Sequence, residues 1–131
     1  FDLYSHRNMK DHAKGFLGLV EDALKQVPEV DVYQIKERLD KGEQVNLIDV
    51  REDNEWNLGR IPTAIHLGKG IIERDIEAVV ADRSTQLILY CQGGFRSALA
   101  AESLNKMGYQ NVYSMSGGFS AWVGSEFPIS Q

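Results

Sequence analysis

The chain has 131 residues, 43% of them hydrophobic and 25% charged, enough for one buried core and too few for two. With 14 Lys and Arg against 19 Asp and Glu the net charge is −5, which excludes the basic stripe that a nucleic-acid partner needs. A single cysteine excludes an internal disulfide, and three scattered histidines beside it give no tetrahedral zinc set, so neither metal nor cofactor is expected.

In chain order, Phe1 to Lys14 is polar and is expected to fray. Opening on Phe1 rather than methionine is compatible with removal of an upstream leader. Phe16, Leu17, Leu19, Val20, Ala23, Leu24 and Val27 then fall on one helical stripe that stops before Pro28. Residues 1–30 are therefore read as a helical extension packed on the domain of residues 31–131 as an extra core element, in preference to a helix that docks a partner. Asp31 opens a second helix, with Gln34 placed three residues on for a capping box.

Val45 to Asp49 reads as a buried strand, Ile65 to Leu67 as a short one, and Gly70 to Ala81 as a helix turning Ile71, Ile72, Ile76, Val79 and Val80 inward. Leu87 to Tyr90 is an apolar run of strand formers, short enough for a central parallel strand. Ser97 to Met107 is a helix with Leu99, Ala100, Ser103, Leu104 and Met107 on its stripe and Gly108 as its stop. Asn111 to Ser114 gives the last strand, and Gly117-Gly118 starts a short helix bearing Phe119 and Trp122. Strands alternating with helices specify an α/β fold, a parallel sheet with helices on both faces. No apolar run approaches the ~20 residues that cross a bilayer, and no membrane partner is expected.

The crossing from the central strand to the next helix falls on Cys91-Gln92-Gly93-Gly94-Phe95-Arg96-Ser97. Gly93 and Gly94 allow a tight loop whose amides turn inward at the positive end of a helix, a site for anions. Those amides favour the thiolate of Cys91, and Arg96 adds a permanent cation with a planar fork suited to an oxyanion. An inert core cysteine needs neither, so Cys91 reads as an exposed nucleophile. Asp49 and Arg51 arrive at the same carboxyl edge of the sheet. They are read as support for the loop that does not touch substrate, a structural ion pair in which Arg51 is matched by Asp49 or Glu55. His66 reads as a satisfied strand-end residue rather than a general base, because a nucleophile that is already a thiolate has no proton to remove.

The loop resembles that of the rhodanese (sulfurtransferase) family, especially its single-domain members, with their C-x-x-G-x-R-S pattern. Asn46-Leu47-Ile48-Asp49-Val50-Arg51-Glu52 followed by Glu55-Trp56 is similar to the family's first signature, a strand ending in D-V-R-E, and Ser114-Met115-Ser116-Gly117-Gly118-Phe119-Ser120-Ala121-Trp122 to its C-terminal one, G-G-x-x-A-W. Together the three motifs run in order from about Val32 to Trp122. Arg60 and Thr63 depart from the family's G-H-I-P-G-A turn, which implies altered turn chemistry outside the loop.

The resemblance implies that residues 31–131 form a rhodanese-like catalytic domain. In it Cys91 takes a sulfane sulfur from a small donor such as thiosulfate, forms a persulfide, and passes the sulfur to cyanide, a cellular thiol or a sulfur-accepting protein. Gln92, Gly93, Gly94, Phe95, Arg96 and Ser97 would bind the donor. With no second cysteine, an external acceptor must discharge the persulfide. Related phosphatases carry one more residue between cysteine and arginine, so the four residues here favour sulfur over a phosphatase or arsenate reductase. The presence of Cys91 speaks against a non-catalytic binding module. An exposed thiolate suits a reducing compartment, and cytoplasm is the expected location.

Overall fold

A computed structural model describes residues 12–131, and the expectation of fraying before Lys14 lies largely outside the described residues. The elements are α1 (Lys14–Leu24), β1 (Glu29–Val30), α2 (Val32–Asp40), β2 (Leu47–Asp49), α3 (Asp53–Leu58), β3 (Ile65–His66), α4 (Ile72–Val79), β4 (Leu87–Tyr90), α5 (Phe95–Lys106), β5 (Val112–Met115) and α6 (Gly118–Gly124). The five strands pair in the order β1-β5-β4-β2-β3, all parallel, which puts β4 in the middle. Every residue of β4 is buried, as its unbroken apolar run requires of a strand covered on both faces.

Alternation along the strands divides the core into two layers. Ile48, Leu87, Leu89 and Val112 face Ile72 and Ile76 of α4 and Ala100, Ala101 and Leu104 of α5. Leu47, Ile88, Tyr90 and Met115 face Val32 and Ile35 of α2 and Phe119 and Trp122 of α6. Each large side chain buried in this way contributes about 1.5–3 kcal/mol. The first helix forms a third layer: Val20 and Ala23 of α1 bury against Ala98 of α5, with Phe16, Leu24, Phe95 and Leu99 packed around them.

Local signals hold where they are strongest. Asp31 accepts from the Gln34 amide at 2.8 Å while Gln34 Oε1 accepts from the Asp31 amide at 2.8 Å, a complete capping box. Elsewhere the structure corrects the periodicity. Leu19 is 59% and Val79 51% exposed, because each lies at the margin of its helix stripe and faces water. The buried face of α5 is Ser97, Ala98, Ala100, Ala101 and Leu104, since the helix is sandwiched between sheet and α1 and small residues let both approach. Leu99, Ser103 and Met107 are only partly buried. Two short elements, β1 and α3, carry no signal in the pattern. Thr63 holds φ at 75°, a left-handed turn that costs a β-branched residue roughly 1–2 kcal/mol and accounts for glycine in the family's turn at this point.

Candidate active site

The register pairs Asp49 of β2 with Tyr90 of β4, so the loops following these strands emerge side by side at the carboxyl edge. After Tyr90 the chain turns through Cys91 to Gly94 and enters α5 at Phe95. The helix thus begins two residues earlier than its propensities indicate, and Phe95 and Arg96 belong to its first turn. Gly94 is the residue before the helix, at φ 98°, where a Cβ would press on the backbone of Gly117. Only glycine enters this turn without strain.

Cys91 is 1% exposed, against the expectation of an exposed thiol. The loop folds back over the end of β4, leaving the sulfur at the floor of a cleft rather than on a rim. Sγ accepts from the Gly94 amide at 3.1 Å and, more weakly, from the Ser97 amide at 3.4 Å. Ser97 Oγ lies 3.5 Å from the sulfur and 2.7 Å from Ser114 Oγ. Both serines are fully buried. Their hydroxyls are rotatable, so the same pair accepts the S–H proton of a thiol or donates to a thiolate. Ser114 opens the C-terminal segment that resembles the family, but the motif gave it no role beside Cys91; it is the one serine inside the strand Val112–Met115.

From the other side α6 holds the loop. The Phe119 amide donates to the Cys91 carbonyl at 2.8 Å and the Ser120 amide to the Gln92 carbonyl at 2.9 Å. A Cβ at Gly118 would overlap both carbonyls, which is the physical content of the second glycine in the C-terminal motif. Gln92 also reaches out through Nε2 to Ser120 Oγ at 2.9 Å.

Two arginines frame the loop. Arg51 lies in a buried network: its Nε and Nη2 donate to the Asp49 carboxylate, Nη2 donates also to the Gly59 carbonyl at 2.7 Å, and Nη1 to Gln92 Oε1 at 3.3 Å. Its guanidinium lies 4.2 Å from the centre of the Phe119 ring. Arg96 forms a two-pronged pair with Glu55 at 2.8 and 2.9 Å. Arg51 is therefore matched by Asp49, and Glu55 serves the loop arginine instead. Arg96 holds the Glu55 carboxyl below its ordinary range, and the carboxylate in turn raises the guanidinium of Arg96.

His66 does not line the Cys91 cleft; its Nε2 lies 2.7 Å from the Arg51 carbonyl oxygen and its ring stacks on Trp56 at 4.8 Å. Burial of the Tyr90 phenol, reinforced by the Asp49 charge, pushes its ionisation well above the ordinary range, so it stays a neutral prop that accepts from the Ile61 amide at 3.2 Å. Among the described residues no cluster of histidine, cysteine and carboxylates offers a metal site, and no helix is long and apolar enough to cross a membrane.

The cleft above Cys91, about 510 Å³, is lined by Gln92, Gly93, Phe95, Arg96 and Ser120, and by His12 and Phe16 from the start of the chain. The whole assembly can present a cysteine sulfur, surrounded by N–H and O–H donors, to a molecule entering between α1 and α6.

A parallel α/β domain with a cysteine loop cradled at the carboxyl edge of its central strand is the class of protein this geometry defines. The chain belongs to the rhodanese-like domain family, whose pattern it matches over residues 31–125. It is 34% identical over 103 residues to a sulfurtransferase of Allochromatium vinosum, covering 79% of this chain and 94% of that one. It is also 34% identical to the thiosulfate sulfurtransferase GlpE of Shewanella oneidensis, over 65% of this chain and 82% of the relative. These shared names support a rhodanese-type sulfurtransferase. A solved structure from Rhodopseudomonas palustris, of a protein of unknown function described as a candidate tyrosine phosphatase, superposes with a TM-score of 0.82 at 26% identity, covering 94% of this chain and all of that one.

Proposed function

We propose that Cys91 carries a sulfane sulfur between a small donor and a thiophilic acceptor, a cellular thiol, cyanide or a sulfur-accepting protein. Residues 1–30 act as an extension on a catalytic domain of residues 31–131. The observation that carries this reading is the pair of amides that donate to Sγ, those of Gly94 and Ser97, with the rotatable Ser97 hydroxyl 3.5 Å away. A thiolate attacks the outer sulfur of the donor; the new S–S bond forms as the donor's own S–S bond breaks, and sulfite leaves when the donor is thiosulfate. The amides and the Ser97–Ser114 pair hold the negative charge before and after the step, so little rearrangement is required. An acceptor nucleophile then attacks the terminal sulfur and restores the thiolate. Gln92, Gly93, Gly94, Phe95, Arg96 and Ser97 bind the donor, and Asp49 and Arg51 position the loop from behind.

The relationship to the Rhodopseudomonas palustris protein brings phosphoryl transfer forward as a second reading. Here the loop arginine is already matched by Glu55, which weakens the site for a phosphate dianion. Intact-protein mass spectrometry after incubation with thiosulfate or an organic persulfide separates the two. A gain of one sulfur atom on wild type, absent from Cys91→Ser and removed by cyanide with formation of thiocyanate, is the expected result. No gain from either donor, together with turnover of an aryl phosphate that requires Cys91, would establish the phosphatase reading instead.

A further inference from the structure

The lining of the Cys91 cleft includes three rings contributed by two distant parts of the chain. His12 and Phe16 come from the first turn of α1 and the residues leading into it, and Phe95 from the first turn of α5. The ring centres of His12 and Phe16 are 5.2 Å apart, those of His12 and Phe95 4.9 Å, and those of Phe16 and Phe95 6.2 Å, each pair tilted or edge-on. Aromatic rings at such distances form a mutually packed wall. All three line the same cleft as Cys91 and Arg96. The helix that carries Phe16, and that His12 leads into, is anchored independently, through Val20 and Ala23 against Ala98.

A wall of this kind has no use for a small inorganic donor. Thiosulfate is a compact dianion with no apolar surface, and among the described residues Arg96, the guanidinium that lines the cleft, is already matched by the Glu55 carboxylate. A singly charged donor bearing a flat organic group answers both features: its sulfur end reaches the loop while its ring lies against the aromatic wall.

We propose that α1 makes this site selective for organic sulfane-sulfur donors with an aromatic or similarly flat apolar group, and that His12 and Phe16 are specificity-determining residues. The inference rests on the sulfur-transfer reading of Cys91. With an aryl thiosulfonate the step balances as follows: the Cys91 thiolate forms a bond to the terminal sulfur, the bond from that sulfur to the sulfonyl sulfur breaks, and the electron pair departs with the aryl sulfinate. Persulfide and sulfinate each carry one negative charge, matching the two that entered, and no oxidant is consumed.

The test compares benzenethiosulfonate, methanethiosulfonate and thiosulfate as donors, with cyanide as acceptor, on the full chain. The two thiosulfonates carry the same charge and differ in the ring. The ratio of their kcat/KM values is measured in wild type, His12→Ala and Phe16→Leu. His12 is exposed, so its loss leaves the core intact, and leucine at position 16 keeps an apolar side chain against α5. The expected result is a ratio favouring the benzene compound in wild type that falls by about tenfold in each variant, chiefly through KM, the size of one lost aromatic contact. Leu19→Ala, on the exposed side of α1, should leave the ratio at its wild-type value. Sulfur transfer with the same ratio in all four proteins would overturn the aromatic wall and leave the sulfurtransferase reading standing. Failure of all three donors to load Cys91 would overturn both.

Discussion

Arg51 and Asp49 keep 2% and 0% of their side-chain surface in water, whereas Arg96 and Glu55 keep 30% and 25%. Both pairs are bonded through two nitrogens, and both stand beside the Cys91 loop, yet burial gives them different work. The inner guanidinium ties β2, the end of α3, Gln92 of the loop and Phe119 of α6 into one joint. It has no freedom to turn toward a substrate, because each nitrogen is already committed. Among the described residues the outer guanidinium has one hydrogen-bond partner, Glu55, and it lines the cleft. Water screens it, so an incoming anion that replaces the carboxylate loses up to about 1 kcal/mol to the competition. One arginine is locked behind the loop, and the other faces the cleft.

The sharpest way to break this contrast is to remove the inner carboxylate. Asp49→Ala strands a buried guanidinium and should lower the unfolding free energy by about 3–5 kcal/mol, read from urea denaturation. A loss below about 1 kcal/mol would mean that the inner pair is as dispensable as a surface one. Arg96→Ala should do the reverse. We expect sulfur-donor kcat/KM to fall by about 10²-fold, the usual cost of deleting one charge-stabilising donor, while stability changes by no more than about 1 kcal/mol. If Arg96→Ala instead unfolds the chain and the folded fraction turns over normally, the outer arginine is a structural residue as well.

How far these roles were visible in the residues alone depends on sequence distance. Cys91 through Ser97 was legible because glycines, cation and helix start fall within one short segment, each narrowing what the others can mean. The Asp31–Gln34 capping box was legible for the same reason. Partners that meet only through the fold were not: Glu55 and Arg96 lie 41 positions apart, and nothing in either segment chooses Arg96 over the nearer Arg51. Ser114 hid in a strand whose other residues are apolar or aromatic, and the two-residue β1 is specified by its register with Ser114 and Met115 rather than by any pattern of its own. The burial of Cys91 follows from Gly118 letting α6 close on the loop, a contact between the second and third motifs that spacing does not reveal. The stripe on α1 packs on α5 through Val20 and Ala23 but not at Leu19, and His12 and Phe16 gained a place in the cleft only once α5 brought Phe95 beside them.

The smallest effect in the series isolates the charge of the outer pair. In Glu55→Gln the side-chain carbonyl still accepts from the Glu52 amide, which Glu55 Oε1 does now at 3.0 Å, so the start of α3 is kept and only the negative charge is lost. Because Arg96 lowers the folded-state ionisation of Glu55, the pair's contribution is fully present above the ordinary carboxylate value of ~4.3. It is lost as pH falls through the lowered value in the folded protein. The stability difference between wild type and Glu55→Gln should therefore be level from neutral pH to about pH 5, no larger than about 1 kcal/mol, and should shrink toward zero in more acid solution. Over the same neutral range Arg96 is left without its counter-charge, and kcat/KM for thiosulfate should rise by up to about fivefold, the equivalent of that ~1 kcal/mol. A thiosulfate rate that falls in Glu55→Gln would show that the carboxylate aims the guanidinium at the donor rather than competing with it, and the outer pair would then be a fixed joint like the inner one.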